Sequence, residues 1–212
     1  MNKKLAILID GGWFSKVLGE ALRIPNGWPN ADQVYSHVLS LIKAEEEIQK
    51  IMYYDSEPYG GTEKNPITGQ SIDYSKSPGY SARKSFFHKL GEKEFVALRR
   101  GEMKQRGWVL NHGFHKNLIN GKQPLPITEK DIHLDLEQKG VDMRIGIDVA
   151  TLSIKKQVDR ILLISGDQDM IPAMKLARRE GIQVFLCQVG PTSLNHAMIE
   201  DSDGLRVLKI GT

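Results

Sequence analysis

Asp167 and Asp169 close the run Ile161-Leu162-Leu163-Ile164-Ser165-Gly166-Asp167-Gln168-Asp169, in which an apolar stretch delivers two carboxylates to one turn. Asp10 ends a second apolar run, Leu5-Ala6-Ile7-Leu8-Ile9, and Asp142 follows Lys139-Gly140-Val141. Carboxylates gathered at one place repel one another unless something positive sits among them. A hard divalent cation meets that need. Mg²⁺ takes oxygen ligands, keeps several waters and engages a few carboxylates together with substrate phosphates, and Mn²⁺ accepts the same set. One or two such ions, roughly 4 Å apart when paired, can activate a water and stabilise the leaving oxygen of a phosphodiester. The chemistry expected of Asp10, Asp142, Asp167 and Asp169 is therefore hydrolytic cleavage of nucleic acid.

Each acid also has a plainer reading. Asp10, Asp142 and Asp169 precede helical segments and suit ordinary N-caps, each contributing about 1 kcal/mol and no chemistry. Asp167 is harder to explain in that way, because Asp169 already supplies a cap. Asp148, six residues beyond Asp142, lies about 240° around a helix from it, which favours a solvated or hydrogen-bonded role.

The elements that must position these acids can be read from the apolar pattern. Leu5 to Ile9, Ile48 to Tyr54, Arg160 to Ser165 and Gln183 to Val189 are short, unalternated runs that suit strands covered on both faces. Helical spacing recurs over residues 32 to 47, with Asp32 as the expected cap, over 142 to 155, and over 170 to 180 before Gly181. Strands alternating with helices imply a parallel, doubly wound α/β sheet. In such sheets ligands bind beyond the carboxyl ends of the strands, where Asp10 and Asp167 stand. Two stretches break the rhythm. Ser56 to Tyr80 holds seven Gly and Pro residues and reads as a long loop, and Gly107 to Pro126 has room for a hairpin around Trp108 to Leu110. Five of the six tyrosines fall between Tyr53 and Tyr80. They suit rings that pin a loop to the core better than rings that stack bases.

At 212 residues, with 40% hydrophobic and 26% charged residues, the chain reads as one domain, 1 to 212, with insertions near 56 to 80 and 107 to 126. Cys187 is the single cysteine, which excludes an internal disulfide and a multi-cysteine zinc site and points to a reducing cytosol. The apolar run behind Lys3 and Lys4 stops at Asp10, too short for a signal-peptide core or a membrane helix, so no membrane association is expected. Homo-oligomerisation is left open. A net charge of +3 decides little, but ten Lys and Arg residues lie between Arg83 and Lys122, opposed in sequence only by Glu92, Glu94 and Glu102. Arg99, Arg100, Lys104 and Arg106 are the candidates to hold an RNA backbone there, with Arg144 orienting a phosphate. The competing reading is a solvated surface.

The motifs taken together resemble the NYN domain, a PIN-like nuclease family that includes the LabA-like (DUF88) bacterial proteins. The resemblance rests on Ile9-Asp10-Gly11-Gly12, on Lys139-Gly140-Val141-Asp142 with Asp148 following, on Ser165-Gly166-Asp167-Gln168-Asp169-Met170 with Pro172, and on Gly181 before the strand at Gln183. It implies a three-layer, PIN-like (Rossmannoid) α/β/α sandwich and a Mg²⁺- or Mn²⁺-dependent ribonuclease with Asp10, Asp142, Asp167 and Asp169 as the acidic site. Many members carry Asn three residues after the first Asp, where this chain has Trp13; Ser15 and Asn111 are candidates for the missing polar role. Two rival readings remain. One is a catalytically weak RNA-binding or adaptor module that keeps the fold. The other takes Asp167-Gln168-Asp169 as the acidic pair of a Toprim-type site, which wants a glutamate where Asp10 stands.

Overall fold

The computed structural model describes residues 2–25, 27–122 and 125–210. In chain order the elements are β1 (Lys3–Asp10), α1 (Gly11–Ala21), α2 (Ala31–Leu39), β2 (Glu46–Ser56), β3 (Thr62–Lys64), β4 (Ser71–Asp73), α3 (Pro78–Gly91), β5 (Val96–Leu110), α4 (His112–Ile119), β6 (Ile132–Lys139), α5 (Val141–Ile154), β7 (Arg160–Ile164), α6 (Ile171–Arg179), β8 (Gln183–Val189), α7 (His196–Glu200) and β9 (Gly204–Leu208). The chain divides into two compact units. The larger comprises Met1–Asp55, Phe86–Gly101 and Gly140–Thr212, and the smaller comprises Ser56–Ser85 and Glu102–Lys139.

Hydrogen bonding orders the main sheet as β6-β5-β2-β1-β7-β8-β9. In the larger unit β1 pairs in parallel with both β2 and β7, β7 with β8, and β8 with β9. The central strands β1 and β7 are apolar through almost all of their length because both faces are covered, whereas β9, at the end of the sheet, alternates buried and exposed residues. Leu5, Ile7 and Ile9 of β1 pack with α1, α2 and the end of α3 through Phe14, Val34 and Phe87. Ala6 and Leu8 pack the other way against α5 and α6 through Ile145, Val149 and Met174. Each fully buried aliphatic side chain of this kind contributes roughly 1.5–3 kcal/mol, so the alternating faces of β1 fix its place at the centre. The result is the expected three-layer α/β/α sandwich with a mostly parallel sheet.

At the amino-terminal edge of this sheet a charged cluster is closed on itself. The Glu46 side chain is fully buried and receives Nη1 of Arg206 at 2.8 Å, Nη1 of Arg160 at 2.9 Å and the backbone N–H of Lys43 at 2.9 Å. Arg206 also donates to the Leu41 carbonyl at 2.8 Å and lies over the Phe185 ring at 4.8 Å. Burial opposes the Glu46 charge, yet the hydrogen bonds from Arg206, Lys43 and Arg160 outweigh it and hold the carboxyl below its ordinary range.

In the smaller unit β3 and β4 form an antiparallel hairpin, and β5 runs antiparallel to β6 from Glu102↔Lys139 to Leu110↔Ile132. Two sequence expectations are corrected here. The breaker-rich stretch from Ser56 holds that hairpin and then leads into α3, whose first residue is Pro78, because glycine and proline punctuate short elements as readily as they exclude long ones. Trp108 to Leu110 belong to the long strand β5, whose partner β6 follows α4. A third correction lies in the larger unit. Helix α2 is capped by Asn30, whose side chain and that of Gln33 bond reciprocally to each other's backbone N–H, and it ends at Leu39 rather than running over 32 to 47. Ile48, counted toward the helix by its spacing, is a β2 residue. No helix among the described residues is long and apolar enough to cross a membrane.

Candidate functional site

The strand order places β1 between β2 and β7, so successive connections leave β1 on opposite sides. The carboxyl end of β1 is thus the switch point at which α/β sheets form their crevice. Ile9 pairs with Ile164, so Asp10 and the Ser165-Gly166-Asp167 exit leave the sheet side by side. That adjacency is what the strand-end positions of the two acids required.

Asp10 is half-buried and caps α1, accepting the Trp13 N–H at 3.1 Å. Burial raises its pKa and the negative charges of Asp142 and Asp167 raise it further, against the Trp13 hydrogen bond that lowers it. Asp142 is in the first turn of α5, behind a left-handed Gly140 (φ 76°) that serves as N-cap, so it is not itself the cap. Its pKa is also raised, by partial desolvation first and then by Asp167 and Asp169. Asp142 stands at the surface, where water screens much of this repulsion. Each of the four acids therefore feels at least one other, and charge repulsion is built into this edge of the larger unit. Among the described residues, however, no three His, Cys, Asp or Glu side chains converge so as to hold a metal ion.

The capping roles of the last two acids are exchanged relative to expectation. Asp167 accepts the Asp169 N–H at 3.0 Å and caps a short 3₁₀ turn over Gln168–Met170, while α6 starts from Met170 with Pro172 in its first turn. The early proline and the tight Ser165-Gly166 exit leave Asp169 exposed on the turn with no cap to make.

Trp13 and Gly166 form a contact that spacing alone could not reveal. A Cβ on Gly166 would lie 2.3 Å from Nε1 of Trp13, so the indole occupies the volume that any other residue at 166 would claim. The ring that stands where the resemblance leads one to expect Asn thus lies against the residue preceding Asp167. Ser15, one candidate substitute, is fully buried and bonded to the Tyr53 hydroxyl at 2.8 Å. Asn111, the other, belongs to the smaller unit, where it donates to the Lys130 carbonyl and meets His133 at 2.7 Å each.

Asp148 has the hydrogen-bonded role expected of it. Buried Tyr54 donates its hydroxyl to Oδ2 at 2.9 Å, and Nε of Arg99 lies 3.1 Å from the same oxygen. Burial and then the Asp148 charge push the Tyr54 pKa upward, so the phenol stays a donor. Tyr53 and Tyr54 are core residues, and Tyr59 and Tyr74 pack edge to face at 5.8 Å, which agrees with rings that pin structure.

The basic candidates are engaged within the chain. Arg99 holds Asp148, Arg100 lies 5.7 Å from the Phe87 ring centroid, and Arg144 donates to the Gly140 carbonyl at 2.7 Å. In the smaller unit Lys104 is 3.7 Å from Glu102, and Arg106 is 3.6 Å from both Asp135 and Glu137. The carboxylates of β6 and α5, distant in sequence, therefore neutralise part of the basic middle.

Residues 4–208 match the family described as NYN domain. Among solved structures, a protein of unknown function from Vibrio parahaemolyticus is similar over 98% of this chain and 94% of that one, at 15% identity and a TM-score of 0.52, which is a likeness of fold. Reduced CoADR-RHD from Bacillus anthracis aligns at 12% identity over 98% of this chain and 38% of that one, but at a TM-score of 0.19, too low to bear on the fold. No curated protein matches the chain.

Proposed function

This chain belongs to the NYN domain family, a branch of the PIN-like nucleases, and from that premise we propose that it is a divalent-metal-dependent endoribonuclease of the LabA-like branch. The observation that carries the reading is the meeting of Asp10 and Asp167 at the switch point, with Asp142 close enough to raise the Asp10 pKa. We read residues 1 to 212 as one NYN domain in which the stretches near 56 to 80 and 107 to 126 are insertions, and its setting as cytosolic.

The donor set is all carboxylate, which suits Mg²⁺ or Mn²⁺ and no softer ion. Mg²⁺ usually binds through one or two carboxylates and keeps its waters, so the lack of a convergent three-ligand cage among the described residues is compatible with it. Asp10, Asp142, Asp167 and Asp169 would hold the ion, one or two of them directly and the others through its waters, and the ion when bound would supply Lewis acidity toward a phosphodiester oxygen. The chain's own part follows from its hydrogen bonds. The Trp13 and Asp169 N–H groups orient the Asp10 and Asp167 carboxylates, and the Tyr54–Asp148–Arg99 set holds α5 and thus Asp142 in place. Arg99, Arg100, Lys104, Arg106 and Arg144 are the proposed contacts to RNA phosphates, which would have to exchange with their present partners.

The rival reading is an RNA-binding or adaptor module with little activity. It is favoured by Trp13 in the place of the family's Asn. Asp167→Asn separates the two: cleavage of a labelled RNA in Mg²⁺ or Mn²⁺ should collapse while affinity for the same RNA survives. Wild-type protein that binds but does not cleave, or Asp167→Asn protein that cleaves at the wild-type rate, would overturn the nuclease reading.

A further inference from the structure

The amino-terminal ends of β1 and β2, where α5 finishes, carry the reverse charge of the acidic edge. Lys4, Lys50, Lys155 and Lys156, with Gln49 and Gln157, line a pocket of about 440 Å³ in the larger unit. No carboxylate lines it. Lys156 is paired with Glu180 at 3.0 Å, whereas the ammonium groups of Lys4, Lys50 and Lys155 have no ion-pair partner among the described residues. A second pocket, of about 610 Å³ between α6 and β8, offers the contrast. It is lined by Lys175, Arg178 and Arg179 together with the carboxylate of Asp203, and there Lys175 meets Asp201 at 3.2 Å and Arg178 meets Asp203 at 3.1 Å.

A local irregularity shapes the lysine pocket. The β1–β2 register runs Leu5↔Ile48 and then Ala6↔Lys50, so Gln49 is an extra, bulged residue. A bulge re-aims side chains. Successive residues of a regular strand face opposite ways, yet Gln49 and Lys50 both reach this pocket. Three unpaired ammonium groups beside two amides form a set of donors awaiting an anion.

We propose that this pocket binds the backbone phosphates of a nucleic-acid strand, at a site separate from the acidic edge. Ammonium groups neutralise phosphate as point charges without demanding a particular approach. The pocket has no aromatic ring to stack a base and no arginine fork to read a base edge, so recognition there is indifferent to sequence. Free phosphate or a mononucleotide shares the chemistry, but the distance favours a strand. The 14 residues of α5 span about 21 Å at 1.5 Å each. That matches about six stacked nucleotides at 3.4 Å per phosphate on one strand. A strand laid along α5 would thus reach from this pocket to Asp142. The inference takes its ligand class from the nuclease reading but does not depend on cleavage.

The test is binding of a fluorescent single-stranded RNA of about 20 nucleotides in EDTA across a salt series. The Lys4→Ala, Lys50→Ala, Lys155→Ala triple variant should lose affinity tenfold or more, and its plot of log K against log salt should flatten by about 2, from roughly 0.7 per lost contact. Lys50→Glu alone should act in the same direction, and replacing the three lysines by arginine should restore binding. Triple-variant protein that remains folded by thermal unfolding and binds RNA with unchanged affinity and slope would overturn the proposal. So would RNA binding that is unaffected while wild type, but not the variant, takes up inorganic phosphate or a mononucleotide. Wild-type protein that binds RNA but fails to cleave it would overturn only the nuclease reading.

Discussion

Two clusters of ionised side chains sit in the larger unit, one at each end of its strands, and they differ in how their charge is answered. Around Glu46 every charge has a partner: Arg206 and Arg160 face its carboxylate, Arg160 also meets Glu45 and the Gln183 side chain, and the Leu41 carbonyl and Lys43 N–H join the set. Around Asp10 the charges are of one sign, and the partners that Asp10 and Asp167 have are backbone N–H groups. A closed cluster contributes to the fold. An open one costs stability, because like charges are held together, and such a cost is expected where a ligand supplies the missing charge.

Breaking the closed cluster should have the largest effect. Glu46→Ala leaves Arg206 buried and unpaired, which should cost about 3–5 kcal/mol. Thermal unfolding should then occur roughly 6–20 °C below wild type, and an unchanged midpoint would mean that the cluster does not hold the fold together. At the open cluster the same kind of change should separate stability from activity. Asp10→Asn keeps the cap to Trp13 but removes one of the repelling charges. Loss of a ligand should exceed the 10–100-fold typical of outer-shell changes, so cleavage should fall at least about a hundredfold while the unfolding midpoint holds or rises. A midpoint that falls with activity would assign Asp10 to the fold alone.

Gly166→Ala tests the contact between the two strand exits, and crowding against Trp13 should cost about 1–3 kcal/mol. Combined with Trp13→Ala the penalty should shrink, a coupling read from the double-mutant cycle. Tyr54→Phe leaves Asp148 with Arg99 and should cost about 1 kcal/mol. The smallest difference is in pH dependence, and here the clusters have opposite signs. The depressed Glu46 carboxyl contributes stability above its unfolded pKa, which is lost as pH falls through the lower folded value. The raised Asp10 and Asp142 carboxyls take up protons more readily when folded, so in EDTA-treated protein they add stability as pH falls through their folded values toward the unfolded ones. Replacing Asp10 and Asp142 by Asn should steepen acid denaturation, whereas Glu46→Gln should flatten it.

Much of the acidic edge was legible because its logic is local. A run such as Leu5 to Ile9 announces a doubly covered strand, and a residue at the end of such a strand has only one place to be. The alternation of strands and helices implies a parallel sheet but not its strand order, so the adjacency of β1 and β7 comes from the structure. What was not legible depends on partners far away in the chain. Glu46 and Arg206 are 160 residues apart, and nothing local marks either as buried. Within the basic stretch from Arg83 to Lys122 the sequence shows only Glu92, Glu94 and Glu102 in opposition, because the carboxylates that answer Arg99 and Arg106 come from α5 and β6. Helical spacing alone overextends α2 because Ile48 continues it by coincidence, and the reciprocal Asn30–Gln33 cap, not Asp32, sets the start of the helix.

The contact of Trp13 with Gly166 also makes the site optically visible. The chain has three tryptophans, Trp13, Trp28 and Trp108. Phenylalanine at the latter two would leave one indole, pressed against the residue before Asp167. Its emission would then respond to what enters that corner of the molecule, with paramagnetic Mn²⁺ darkening it and Mg²⁺ leaving it bright. A binding curve could so be recorded on protein that has turned over no substrate at all.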